Sequence, residues 1–114
     1  MKLHCKHELL YHLILTAKYR KPFWIPDQFI AQAANSAKMQ LIEYYNDIDH
    51  LHLLIKVRPS ISISKAIEII KTQTSRMMLK YHWREWGKWS RGYHISTVGA
   101  DKEVVEDYIR RHFQ

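Results

Sequence analysis

Two histidines one residue apart, His50 and His52, stand in the run Asp49-His50-Leu51-His52-Leu53-Leu54-Ile55. A run this apolar reads as a β-strand, on which alternate side chains share a face. His50 and His52 then point one way, and Leu51 and Leu53 the other. Two imidazoles on a rigid strand supply half of a metal site, since neutral imidazole suits several divalent ions. The pair alone does not define such a site, because two of 8 histidines can fall this way by chance. The best candidate for the other half is Tyr108 with His112, four residues apart and so on one helical face, above Val105 and Ile109. A phenol is a poor nucleophile at its ordinary pKa of about 10. A nearby divalent cation would favour the phenolate, polarise a phosphodiester and offset charge in its transition state.

The elements that must position these groups can be read along the chain. Leu9 to Thr16 is rich in bulky and branched residues and predicts a strand. Lys18 to Pro22 breaks it with a cationic loop. Pro26-Asp27 marks a helix start, and Phe29, Ile30, Ala33, Ala34, Ala37 and Leu41 recur at helical spacing. Leu41–Tyr45 and Ile48–Val57 predict two strands joined by an Asn46-Asp47 turn. Pro59 ends the second, and Ser62 caps a long helix with Ile63, Ala66, Ile67, Ile70, Met77 and Met78 as its buried stripe. Trp83, Trp86 and Trp89 follow at every third position. Gly92 to Val98 predicts another strand, interrupted by Gly99, and Asp101 caps a last helix. This order predicts an α+β fold: a ferredoxin-like antiparallel sheet with helices on one face, plus an extra C-terminal helix carrying the tyrosine.

The 114 residues predict a single domain, 1–114, with one core. Hydrophobic residues make up 46% and charged residues 25%, a balance that favours folding over disorder. A net charge of +7 points modestly to nucleic acid. Lys18, Arg20 and Lys21 form one basic cluster, and Lys71, Arg76 and Lys80 another along a helix. Either would bind a phosphate backbone in a salt-dependent way, although each alone also fits a solvated face. Tyr19, Phe23 and Trp24 interleave with the first cluster and could stack unpaired bases. The three later tryptophans fit buried anchors or dimer contacts better. The lone Cys5 cannot form an internal disulfide, and His4, Cys5 and His7 match no structural zinc spacing. The longest apolar stretch, Leu9 to Ala17, is too short for a bilayer, and the N-terminus lacks the plan of a secretory signal. A cytoplasmic protein with no membrane partner is expected.

Four blocks of this chain occur in an order and at separations that resemble one family. They are Tyr11 to Leu15 with Lys18-Tyr19-Arg20; Asp49 to Leu54; Ser62-Ile63-Ser64 with Lys71 and Ser75-Arg76; and Gly92-Tyr93 through Thr97-Val98-Gly99 to Tyr108-Ile109. From about Tyr11 to His112 the chain resembles the single-tyrosine HUH transposases of the smallest insertion sequences, the IS two-hundred / six-oh-five group. The resemblance implies that Tyr108 attacks single-stranded DNA, leaving a 5′-phosphotyrosine bond and a free 3′-hydroxyl that can later rejoin strands. Bond energy is conserved, so no nucleotide cofactor is needed. The resemblance also implies that His50 and His52 hold Mg²⁺ or Mn²⁺, that the partner is single-stranded DNA with hairpin ends, and that the protein is a homodimer. Gly99 sits where a hinge could let two copies exchange tyrosine helices.

One position departs from the family pattern. The third ligand there is a glutamine four residues after the tyrosine, and this chain has His112. Imidazole shifts preference from Mg²⁺ toward Mn²⁺ or softer ions. Other readings are a binding-only, domesticated relative that holds structured single-stranded DNA, a transposase serving dispersed palindromic repeats, and a ferredoxin-like small-molecule sensor. The basic charge and the histidine pair argue against the sensor.

Overall fold

The computed structural model describes residues 9–58, 60–81 and 86–113. The elements are β1 (Leu9–Thr16), a single 3-10 turn (Lys18–Arg20), α1 (Asp27–Ser36), β2 (Met39–Asp47), β3 (His50–Val57), α2 (Ile63–Tyr81), β4 (His94–Gly99) and α3 (Lys102–His112). The strands are antiparallel in the order β2-β3-β1-β4, the expected ferredoxin-like α+β arrangement. Helix starts follow their sequence signals. Asp27 sits in the first turn of α1 behind Pro26. Ser62 Oγ accepts from the Lys65 N–H at 3.1 Å, and Asp101 Oδ1 from the Glu103 N–H at 3.0 Å. Pro59, Trp83 and the His4-Cys5-His7 group lie outside the described residues.

Strand alternation divides the molecule. Leu13, Leu15, Leu51, Leu53 and Ile55 face α1, α2, Trp86 and Trp89 in the larger core. Leu10, Leu54 and Val98 face the other way, where α3 closes a smaller core with Val105, Tyr108, Ile109 and Phe113. The extra helix therefore covers the sheet face that α1 and α2 leave open. Among the described residues, no helix is long and apolar enough to cross a membrane.

Three local expectations are corrected. Leu41 belongs to β2 and not to the stripe of α1. The β2–β3 turn falls at Ile48-Asp49, because Asn46 is recruited elsewhere: its Oδ1 accepts from the Ile25 N–H at 2.9 Å and its Nδ2 donates to the Ile25 carbonyl at 3.1 Å. Ile48 then takes a left-handed φ of 55°. β4 begins at His94, because Gly92 at φ 74° belongs to the preceding loop, and it runs through Gly99.

Candidate active site

His50 and His52 share the α3 side of the sheet, their ring centroids 6.2 Å apart. β1 brings a third imidazole to that face. His12 pairs with Leu54 across the ladder, so His52 is its diagonal neighbour. His12 Nε2 lies 3.0 Å from His52 Nδ1, and His12 Nδ1 lies 2.6 Å from the Tyr108 hydroxyl. A line of hydrogen bonds thus runs from the helix phenol to the strand histidine, and His52 Nε2 faces Asp47 Oδ2 at 3.8 Å. His112, one turn beyond Tyr108, puts its ring 4.2 Å from the phenol ring and 5.9 Å from His12. Phe113 closes over His12 at 4.9 Å.

A β-bulge places another member. The β2–β3 register shifts between Leu41 and Glu43, and from there the faces of β2 swap. Tyr44 therefore turns to the large core, and Tyr45 stacks flat on His52 at 4.3 Å and 7°.

Burial sets the electrostatics. Loss of hydration, reinforced by His52 and His112, lowers His12 from 6.5 to about 4. Burial also lowers His52, against the opposing pull of Asp47, and raises the Tyr108 phenol. On the other histidine, Asp49 Oδ1 lies 2.5 Å from His50 Nδ1, while Asp49 Oδ2 accepts from Arg20 Nε at 2.7 Å. The hydrogen bond from Arg20 is the main reason the Asp49 carboxyl sits below its ordinary range.

The residues present suit a divalent ion in part. Two imidazoles sharing one ion have centroids at most about 6.5 Å apart, given a metal–nitrogen bond of about 2.1 Å on each side. That limit is the linear one; at tetrahedral or octahedral cis angles the centroids stand about 5.3 or about 4.6 Å apart, so the 6.2 Å between His50 and His52 requires the rings to close by about 1 Å or more on a shared ion. His50 also carries the carboxylate partner that ligating histidines ordinarily have. Among the described residues no three histidine, cysteine, aspartate or glutamate side chains converge on one point, so His112 stands by the phenol and not with the strand pair.

The predicted DNA-binding residues divide into three groups. Lys18, Tyr19 and Arg20 form the 3-10 turn at the His50 end of the sheet, with Tyr19 88% exposed. Trp24 is exposed as well, but Phe23 is not available for stacking: it packs edge-on against Trp86 and Trp89. Arg76 and Lys80 line a cleft of about 490 Å³ between α1 and α2, with Gln28, Gln32 and Tyr81, on the far side of the sheet from the histidines. Lys71 Nζ donates to the carbonyls of Ser90 and Gly92 at 2.9 and 3.0 Å and is partly buried, which lowers its pKa. It ties α2 to the loop entering β4. Sequence reasoning missed His12 and Tyr45. The signal for His12 was present, as a lone titratable residue in the apolar run Leu9–Thr16.

Fold and site together define a class, the ferredoxin-like domain with a tyrosine helix laid over a histidine-bearing sheet face. The family model described as "Transposase IS200 like" matches residues 5–112, and the chain belongs to that family. It is 27% identical to the transposases for insertion sequence element IS200 of Salmonella typhimurium and Salmonella typhi, over 97% of this chain and 81% of each of theirs. The fold is shared with a Deinococcus radiodurans crystal structure assigned as a transposase, at a TM-score of 0.70 and 23% identity, covering 92% of this chain and 91% of that one. It is also shared with a REP-associated tyrosine transposase bound to a REP hairpin, at a TM-score of 0.58 and 9% identity, covering 100% and 74%.

Proposed function

We propose that this transposase cleaves and rejoins single-stranded DNA at element ends through Tyr108, with a divalent ion, Mg²⁺ or Mn²⁺, held by His50 and His52. The carrying observation is the hydrogen-bonded line Tyr108–His12–His52, which ties the nucleophile to one of the two strand histidines. Tyr108 Oη attacks the phosphorus, a 5′-phosphotyrosine bond forms, the bond to the 3′ oxygen breaks, and that oxygen leaves as a hydroxyl after taking a proton. The reverse attack by a 3′-hydroxyl rejoins strands with no external energy source. The bound ion would polarise the phosphodiester and offset charge in the transition state.

The route of the phenol proton is constrained by burial, which disfavours both a cationic His12 and a bare phenolate at Tyr108. A relay keeps His12 neutral. Tyr108 gives its proton to His12 Nδ1 while His12 Nε2 gives its own to His52 Nδ1, and the His52 Nε2 proton passes to solvent past Asp47. The phenolate ends with a donor, His12 Nδ1–H, and His52 ends with Nε2 bare; an ion held there would take the place of that proton, so ion binding and phenol deprotonation would go together.

His112 is the proposed third ligand. It needs a shift of α3, and the link from Gly99 to Asp101 is where the helix would turn. The same link would let α3 pass to a second copy in a homodimer. Structured single-stranded DNA is the proposed partner, in keeping with the hairpin held by the REP-associated relative. Lys18, Tyr19 and Arg20 offer charge and an exposed ring beside His50, and Arg76 and Lys80 offer a second basic surface. Lys71 would contribute by holding its loop. The test is incubation with Mn²⁺ and the single-stranded end of the element. A covalent protein–DNA adduct should form in the wild type and be absent in Tyr108→Phe, which should still bind the hairpin. An unchanged adduct in that variant would remove Tyr108 as nucleophile.

A further inference from the structure

His50 is held from behind. Its Nδ1 meets Asp49 Oδ1, and the other oxygen of the same buried carboxylate is taken by Arg20 Nε. The backbone of Asp49 is fixed too, since its carbonyl accepts from the Ala17 N–H at 3.0 Å. The turn that carries Arg20 to Asp49 is contorted: Tyr19 and Arg20 both take left-handed φ values, 61° and 55°. Side chains avoid that conformation, and it persists where surrounding contacts hold it. Here the contacts are the Arg20–Asp49 pair and the backbone hydrogen bonds of the turn, from the Lys18 N–H to the Lys88 carbonyl at 2.7 Å and from the Arg20 N–H to the Ala17 carbonyl at 2.9 Å.

We infer that Asp49, anchored by Arg20, is a positioning residue that fixes His50 in the Nδ1–H tautomer, so that Nε2 is its ion-facing nitrogen. A carboxylate can only accept, so the 2.5 Å contact assigns the proton to Nδ1. A carboxylate behind a ligating imidazole also raises its basicity and sets its ring plane, and losing one typically costs 10–100-fold in metal affinity. This gives the turn a role in assembling the site apart from any contact with DNA. The inference rests on the proposed ion at His50 and His52.

The test separates the two. Mn²⁺ binding is measured by electron paramagnetic resonance of the free ion for the wild type, His50→Ala, Asp49→Asn and Arg20→Gln. His50→Ala should lose tight binding, Asp49→Asn should loosen it about 10–100-fold, and Arg20→Gln should loosen it by less. Equal binding by the wild type and His50→Ala would sink the metal reading itself. Loss in His50→Ala with wild-type affinity in Asp49→Asn would overturn only the role of Asp49. Should the Asp49 variant misfold, the wild type answers alone. Long-range ¹⁵N–¹H spectra of the metal-free protein at about pH 8, where imidazoles are neutral, should show His50 as the Nδ1–H tautomer. An Nε2–H pattern at His50 would refute the inference.

Discussion

Replacing His12 by Phe separates a proton relay from a merely structural histidine. The substitution keeps an aromatic ring under Phe113 and removes both nitrogens. Two hydrogen bonds go, at 2.6 and 3.0 Å. Each leaves a partly buried partner, the Tyr108 hydroxyl or His52 Nδ1, without its bond, at about 1–3 kcal/mol apiece, so the stability cost is about 2–6 kcal/mol. Urea unfolding gives the folded fraction, and the rate is corrected for it. Loss of a positioned proton-transfer group typically slows a reaction 10²–10⁴-fold, or about 3–5 kcal/mol in the barrier. A slowing of that size in the folded fraction is catalytic. The assay is single-turnover adduct formation on a labelled single-stranded end at saturating Mn²⁺, read on a denaturing gel, with urea unfolding run alongside. A His12→Phe adduct rate within about threefold of wild type would refute the relay, as would a faster one, which would make His12 a latch that restrains the phenol.

Acid should weaken the fold through the same residue. His12 titrates near 6.5 when unfolded but resists protonation to about 4 when folded, so its contribution is complete above 6.5 and is lost as pH falls toward 4. The loss from this group is up to about 3 kcal/mol, seen as a falling urea midpoint between about pH 7 and about pH 4.5 and flattened in His12→Phe. Ile48 is β-branched, exposed and left-handed, so Ile48→Asn should stabilise the protein by about 1 kcal/mol in the same urea assay. Thr74→Val removes the buried acceptor of the Trp89 indole N–H at 2.9 Å and should cost about 1–3 kcal/mol. Arg76→Ala and Lys80→Ala should each reduce the salt dependence of hairpin binding by about one unit of slope if they meet phosphates, whereas Lys71→Met should leave that slope unchanged.

The elements were legible where local chemistry decided them. α2 and α3 begin at Ser62 and Asp101, because each cap is satisfied within three residues of itself, and α1 begins at Pro26-Asp27, where proline's fixed φ and an acid in the first turn favour a helix. The β2–β3 turn was not legible, because the side chain that should have made it is claimed by Ile25, 21 residues away in sequence. Phe23 was misread for a similar reason. Beside a cationic loop it resembles a base-stacking ring, but Trp86 and Trp89 fold back onto it from 60 or more residues further along.

The site shows the same division more sharply. His50 and His52 could be paired from alternation alone, and Tyr108 with His112 from one helical turn, since each pair is positioned by its own element. His12 joins them only through the β1–β3 register, and nothing local to Leu9–Thr16 reveals which residue of β3 it will stand beside. Tyr45 depends on a single irregularity. Without the shift between Leu41 and Glu43, strict alternation would turn Tyr44 onto His52 and send Tyr45 into the core. The bulge thus decides which tyrosine covers the histidine. Residues proposed to supply chemistry could be named from the sequence, whereas those that touch and orient them are set by contacts between strands.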